Sequence, residues 1–261
     1  MNAITRQPQR LSADTAWRGL HAQATAPYRQ SGRFGWHFAR GKLGYDPAFR
    51  GIVARGLIGP ERPRMLDIGA GQSLFANLLH CAAAMQREGR WPPAWTPTPA
   101  EPVYTGIELM PRDVERARRA VGHIRPAPTL VCGDMCSAAL PACDVVVILD
   151  VLHYVDHAAQ EGVLLRVRDA LRRGAGERAV PGRLLLRVGD AASRRGFAVS
   201  QWVDRTVTRV RGHKVSPTWG RTLDEWTALL RRLGFAVQPI PMSEGTPFAN
   251  VLLVADVESP L

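Results

Sequence analysis

Four carboxylates in this chain stand in or just after short apolar runs. Asp67 lies in Arg64-Met65-Leu66-Asp67-Ile68, and Glu108 closes Val103-Tyr104-Thr105-Gly106-Ile107. Asp134 follows Thr129-Leu130-Val131-Cys132-Gly133, and Asp150 follows Asp144-Val145-Val146-Val147-Ile148-Leu149. Carboxylates accept hydrogen bonds from hydroxyls and amines, so such acids suit a ribose or an exocyclic amine. Beside Asp134 stands Met135, a soft apolar side chain able to cover a flat ring. After Asp150 come His153 and Tyr154. An imidazole with an ordinary pKa of about 6.5 can remove a proton at neutral pH. His153 is therefore the first choice of general base, with a helix-start or core histidine as its plain alternative. Tyr154 is a second candidate, with simple packing as its alternative.

The elements that must position these groups alternate. Apolar runs at residues 64–68, 103–107, 129–132, 144–149 and 182–188 read as strands. The fourth is apolar throughout after Asp144, as expected for a parallel strand covered on both faces. Helices are expected from Ser73 to Met85, from Pro111 to about Ala120 and from about Ala158 to Leu171. Thr222-Leu223-Asp224-Glu225 is a capping box that opens a further helix, which Gly234 ends. Ala236–Pro239 and Asn250–Val257 read as two last strands. The expected fold class is α/β, a doubly wound, seven-stranded, mostly parallel sheet. Ligands of such sheets bind at the carboxyl ends of the strands, near the switch in strand order. Asp67, Glu108, Asp134 and Asp150 then share one crevice, equipped for a nucleoside and an amino-acid tail.

The first strand runs into Gly69-Ala70-Gly71 and then a helix start. Glycine allows close backbone approach to a ligand. Leu74 stands where the third glycine of G-x-G-x-x-G would be, which disfavours a dinucleotide pyrophosphate site. Residues 11–59 are irregular in pattern, aromatic and glycine-punctuated, and short helices rather than strands are expected there, as an N-terminal helical cap over residues 1–60. The main domain then covers 61–261, with an insertion at about 191–221 that holds Trp202, Arg205, His213 and Trp219. Trp91 to Pro102 reads as a proline-rich loop with exposed tryptophans.

Composition narrows the classes. Of 261 residues, 46% are hydrophobic and 22% charged, which excludes disordered and fibrous chains. No run of about 18 apolar residues exists to span a membrane. The four cysteines, Cys81, Cys132, Cys136 and Cys143, lack metal-ligand spacing, so no metal site is expected. Residues 1–10 lack the apolar core of a secretory signal, and a cytoplasmic location is expected. The net charge of +11 is spread over short arginine runs, some late in predicted helices, where cations suit the dipole and are usually solvated.

In order, Met65 to Leu79, Glu108, Gly133-Asp134 and Asp144 to Tyr154 resemble the four motifs of class I S-adenosylmethionine-dependent methyltransferases. Thr222 to Val257 resembles their final helix and antiparallel strand pair. The resemblance covers about Arg62 to Val257. It departs at Ser73, where many members carry glycine, and in the long gap from Gly71 to Glu108, which the loop at 91–102 accounts for. The resemblance implies S-adenosylmethionine as cofactor. Asp67, Gly69 and Gly71 would shape its methionine pocket. Glu108 would hold the ribose, with Leu109 against adenine. Asp134 and Met135 would hold adenine, and Leu149 and Asp150 would border the sulfonium.

The fourth strand is followed by neither Asn/Asp-Pro-Pro-Tyr nor a Pro-Cys nucleophile, so a nucleic-acid acceptor is disfavoured and a small molecule expected. Gly32 to Lys42 joins three aromatics, His37 and three cations, and forms one candidate lid, with His37 as a further candidate base. The insertion at 191–221 forms a second. Arg33 to Leu43, Arg187 to Asp190 and Pro241 to Asn250 are also similar in texture to methyltransferases of bacterial aryl polyene pigment pathways. That similarity implies C- or O-methylation of a phenolic ring on an acyl chain, with an acyl carrier protein as partner. Two other readings stand beside it. The basic charge suggests an RNA or protein methyltransferase. The tryptophans at 91 and 95 suggest a non-catalytic scaffold of the same fold.

Overall fold

A computed structural model describes residues 12–176, 180–189, 218–242 and 250–258. The chain divides into two compact units interleaved in sequence. One is built from the described parts of Met1–Pro63, Gln72–Val103 and Arg112–Pro128. The other comprises Arg64–Gly71, Tyr104–Pro111 and the described parts of Thr129–Leu261.

The second unit carries the sheet. Its strands are β1 (Arg64–Ile68), β2 (Val103–Glu108), β3 (Thr129–Cys132), β4 (Val145–Leu149), β5 (Arg183–Gly189), β6 (Phe235–Pro241) and β7 (Asn250–Val257). They lie in the order β3-β2-β1-β4-β5-β7-β6. The pairs β2–β3, β1–β4 and β4–β5 are parallel, while β5–β7 and β6–β7 are antiparallel. This is the α/β, seven-stranded, mostly parallel sheet expected from the sequence. Strand order reverses between β1 and β4, the place where such sheets bind ligands. Register sets Ile68 beside Ile148, Glu108 beside Cys132 and Leu149 beside Arg187. The strand ends that carry the acids are thereby aligned.

Among the described residues, two helices of this unit pack on the sheet. α6 (His157–Ala175) buries Val163, Leu164, Val167, Ala170 and Leu171 in the same core as Leu66, Ile68, Val146, Ile148, Leu184 and Leu186. Asp156 caps its start by accepting from the Ala159 N–H at 2.8 Å. Gly174 near its end permits close packing, because a Cβ there would lie 1.7 Å from the Cys143 carbonyl oxygen. Arg64 closes the same corner. Its guanidinium reaches both Asp144 carboxylate oxygens, at 3.1 and 2.6 Å, and the Gly174 carbonyl oxygen at 2.6 Å. α7 (Leu223–Arg232) opens with the expected capping box. The Glu225 N–H donates to Thr222 Oγ1 at 3.2 Å, and the Thr222 N–H donates to Glu225 Oε2 at 2.7 Å.

The first unit holds the helices expected of the N-terminal cap, and they are longer and more regular than its glycines suggest. It contains α1 (Ala13–Thr25), a 3₁₀ turn (Ala26–Ser31), α2 (Gly32–Tyr45), α3 (Pro47–Ala54), α4 (Leu74–Arg87) and α5 (Pro111–Val121). Gly35, Gly41 and Gly44 lie within a regular helix. Buried residues at helical spacing outweigh glycine's cost there: Ala16, Leu20 and Ala24 in α1, and Gly35, Ala39 and Leu43 in α2. Tyr28 is fully buried, with its hydroxyl 2.8 Å from the Gln72 carbonyl oxygen and 3.0 Å from that of Ser73. The proline-rich loop forms as expected, but its tryptophans are not exposed. Trp95 is only 7% exposed, and the Trp91 indole N–H donates to its carbonyl at 3.2 Å. Gln86 fastens the loop, donating to Thr98 Oγ1 at 2.8 Å and accepting from the Thr98 N–H at 3.0 Å. The arginines late in helices are not all merely solvated either. Arg173 donates to the Leu140 carbonyl at 2.9 Å, and Arg232 pairs with Glu161 at 3.0 Å.

Candidate active site

At the end of β1, Asp67 is buried and accepts from the Tyr104 hydroxyl at 2.7 Å. Burial disfavours its charge and pushes its pKa up to about 7, against the lowering effect of the Tyr104 hydrogen bond, and Glu108 adds a smaller upward push. The following turn rests on β2: the N–H groups of Gly69 and Ala70 donate to the Ile107 carbonyl at 2.9 and 3.0 Å. Gly69 has φ +72°, and a Cβ there would lie 2.4 Å from a Val151 methyl, so both conformation and space call for glycine.

Glu108 is the junction of the site. One carboxylate oxygen accepts from the Gly71 N–H and the other from the Met110 N–H, each at 2.8 Å. Its carbonyl accepts from the Gly133 N–H at 3.0 Å, which ties the end of β3 to the end of β2. Between these groups, Leu109 is 61% exposed. Asp134 is exposed and caps its own turn by accepting from the Cys136 N–H at 2.8 Å. Met135 is half-buried and packs against the core.

At the end of β4, Leu149 and Asp150 are half-buried, and Asp150 has φ +60°, a conformation that costs energy for a non-glycine residue. Its carboxylate takes both arms of the Arg187 guanidinium, one at 2.8 Å. A 3₁₀ turn, Leu152–Tyr154, then presents His153 and Tyr154 with ring centroids 4.2 Å apart. Tyr154 is 40% exposed and Trp219 is 42% exposed. The Trp219 N–H donates to the His153 carbonyl at 2.8 Å, so an aromatic residue stands against the turn.

Asp67, Gly71 and Glu108 are thus joined through Tyr104 and the turn, and Asp134 and Met135 through Gly133. Asp150, His153 and Tyr154 follow one another on the β4 end. His37 lies on α2 in the other unit, exposed, with its ring 4.8 Å from that of Trp36. Trp202, Arg205 and His213 of the expected second lid lie outside the described residues.

Three supporting residues escaped sequence reasoning. Arg166 on α6 donates to the carbonyls of Met135 at 2.9 Å, Cys136 at 2.8 Å and Ala138, and so holds the Asp134 loop. Gln160 is fully buried, and its amide nitrogen lies 3.2 Å from the Leu152, 3.1 Å from the Val155 and 2.9 Å from the Trp219 carbonyl oxygens. Arg187 is the third. A polar residue on the buried face of a predicted helix was the available signal for Gln160, and an arginine inside an apolar strand was the signal for Arg187.

A family model described as an O-methyltransferase domain matches residues 103–236, more than half of the chain. The chain belongs to the O-methyltransferase domain family. It is an S-adenosylmethionine-dependent methyltransferase. Solved structures agree on the fold. The mitomycin 7-O-methyltransferase MmcR is 19% identical, with a TM-score of 0.59 over 94% of this chain and 67% of its own. The pyocyanin biosynthetic protein PhzM is also 19% identical, with a TM-score of 0.55 over 88% of this chain and 60% of its own. The magnesium protoporphyrin IX methyltransferase of Synechocystis PCC 6803, solved with bound SAH, is 14% identical, with a TM-score of 0.55 over 95% of this chain and all of its own. The chain thus spans about two thirds or less of the first two proteins. No curated protein matches the sequence.

The residues of this O-methyltransferase domain fit its cofactor. Glu108 supplies carboxylate acceptors, exposed Leu109 and half-buried Met135 supply apolar cover, and Gly69 stands where no Cβ has room. When bound, the cofactor supplies a methyl group activated by a sulfonium. Among the described residues, no helix is long and apolar enough to cross a membrane, and no cluster of three or more His, Cys, Asp or Glu could hold a metal ion.

Proposed function

We propose that this domain methylates the oxygen of a small phenolic or aryl acceptor. The observation that carries the reading is the His153–Tyr154 turn directly after Asp150, with Trp219 hydrogen-bonded to its backbone. It combines an imidazole with exposed aromatic surface at the end of the strand beside the switch point. In this reading Asp67, Gly69 and Gly71 line the methionine end of the cofactor, and Leu149 and Asp150 border its sulfonium. Glu108 binds the ribose, and Leu109, Asp134 and Met135 enclose adenine. His153 takes the acceptor's hydroxyl proton as the oxygen–carbon bond forms, with His37 and Tyr154 as the other candidates. The protein's contribution is alignment of the acceptor and that proton transfer.

Support for a small acceptor comes from two fold relatives, a mitomycin O-methyltransferase and a pyocyanin biosynthetic protein. The O-methyltransferase family match favours oxygen over carbon. The narrower reading, an aryl group of a polyene pathway on an acyl carrier protein, rests on the sequence resemblance and on the basic charge, which suits an acidic carrier. Burial of Trp95 and partial burial of Trp91 weigh against a scaffold.

The test is a panel assay with labelled S-adenosylmethionine. Free phenols, phenolic acyl thioesters, the same acyl groups on a carrier protein, and RNA are offered in parallel. Label in a phenolic product, lost in His153→Gln, is the expected result. Label in RNA alone would overturn the reading.

A further inference from the structure

Arg187 is an anomaly in its strand. β5 alternates, with Leu184, Leu186 and Val188 in the hydrophobic core, and Arg187 stands on the opposite face at only 2% exposure. A buried guanidinium is costly unless paired, and hydrophobic residues often replace such pairs without loss of stability. Its partner is Asp150, the residue forced to φ +60° at the end of the neighbouring strand. Register places Arg187 directly beside Leu149, so the fork reaches the next residue's carboxylate with both arms. Bidentate geometry of this kind fixes a carboxylate in direction as well as in place.

We propose that Arg187 is a positioning residue that holds Asp150 and cancels its charge beside the donor's sulfonium. This rests on the reading that places the donor at the ends of β1, β2 and β4. Methyl transfer turns a cationic sulfonium into a neutral thioether. An uncompensated carboxylate beside it would stabilise the charged ground state more than the transition state, in which that charge is disappearing, and would slow the step. It would also bind S-adenosylmethionine more tightly than S-adenosylhomocysteine. Pairing with Arg187 removes that bias while keeping the oxygens of Asp150 fixed.

The test compares affinities rather than turnover. The full chain is titrated calorimetrically with S-adenosylmethionine and S-adenosylhomocysteine, and the ratio of the two dissociation constants is taken. In Arg187→Met the ratio should move about tenfold toward S-adenosylmethionine. Arg187→Gln keeps an amide donor without the charge and carries the same expectation, should the methionine variant not fold. In Arg187→Met with Asp150→Asn the ratio should return to the wild-type value. A folded single variant with the wild-type ratio would overturn the proposal, as would a double variant that keeps the shift. A wild-type protein that binds neither compound would overturn the donor-site reading itself, a result distinct from an unchanged ratio.

Discussion

The Tyr104 hydroxyl donates to the buried Asp67 carboxylate at 2.7 Å, across the adjacent strands β2 and β1. The bond only partly offsets burial, which carries the Asp67 pKa up to about 7. Its unfolded value is near 3.8, so the folded chain holds the extra proton between those limits. Stability therefore falls as pH rises through that window, because the folded state must release a proton that the unfolded state has already lost. The stabilisation is complete below the unfolded pKa and gone above about pH 7. Asp67→Asn removes the titration. Its stability relative to wild type should rise by about 1–3 kcal/mol between pH 5 and pH 8, read from urea unfolding at both values. A difference that does not change with pH would contradict the burial of Asp67.

His153 follows Asp150 on a 3₁₀ turn rather than within a long helix. If it takes the acceptor's proton, His153→Gln should lower kcat by about 10²–10⁴-fold. Affinity for S-adenosylhomocysteine should stay as in wild type. An unchanged kcat would reduce His153 to packing.

Gln160 braces that turn from the buried face of α6, within hydrogen-bond reach of Leu152, Val155 and Trp219 carbonyls. Its own side-chain oxygen accepts from Arg221 Nε at 2.8 Å. Gln160→Leu removes these hydrogen bonds, although Leu152 keeps the Val155 N–H, and should cost about 1–3 kcal/mol. The Michaelis constant for the acceptor should rise while cofactor affinity holds. Loss of cofactor affinity instead would show that the turn belongs to the donor site.

Gly174→Ala tests the packing of α6 on the start of β4. Its methyl has no room against the Cys143 backbone, so helix and strand must part. A loss of about 3 kcal/mol is expected from denaturant midpoints. Wild-type stability would contradict this packing.

Much of the sheet was legible because its signals are local. Five consecutive apolar β4 residues, the Gly69–Gly71 turn and the Thr222–Glu225 capping box each act within a few residues. The acids at the strand ends were legible for the same reason. The N-terminal segment was legible as helical, but its glycines obscured the length of the helices, although Gly35, Ala39 and Leu43 carried the helical spacing. Burial of Trp95 was masked by surrounding prolines, since it depends on contacts that Gln86 makes with Thr98. Arg166, Gln160 and Arg187 act across about 30 to 60 residues of sequence. No local pattern announces a guanidinium that will cap three distant carbonyls.

Every role proposed for the strand ends depends on a donor site built on Glu108 at the end of β2. Calorimetric titration of the purified chain with S-adenosylmethionine and S-adenosylhomocysteine tests that site. The wild type should bind both saturably. Glu108→Ala, in which the Gly71 and Met110 N–H groups lose their acceptor, should lose at least about tenfold in affinity. A folded wild-type protein that binds neither compound, or a Glu108→Ala variant that binds both unchanged, would contradict the donor site.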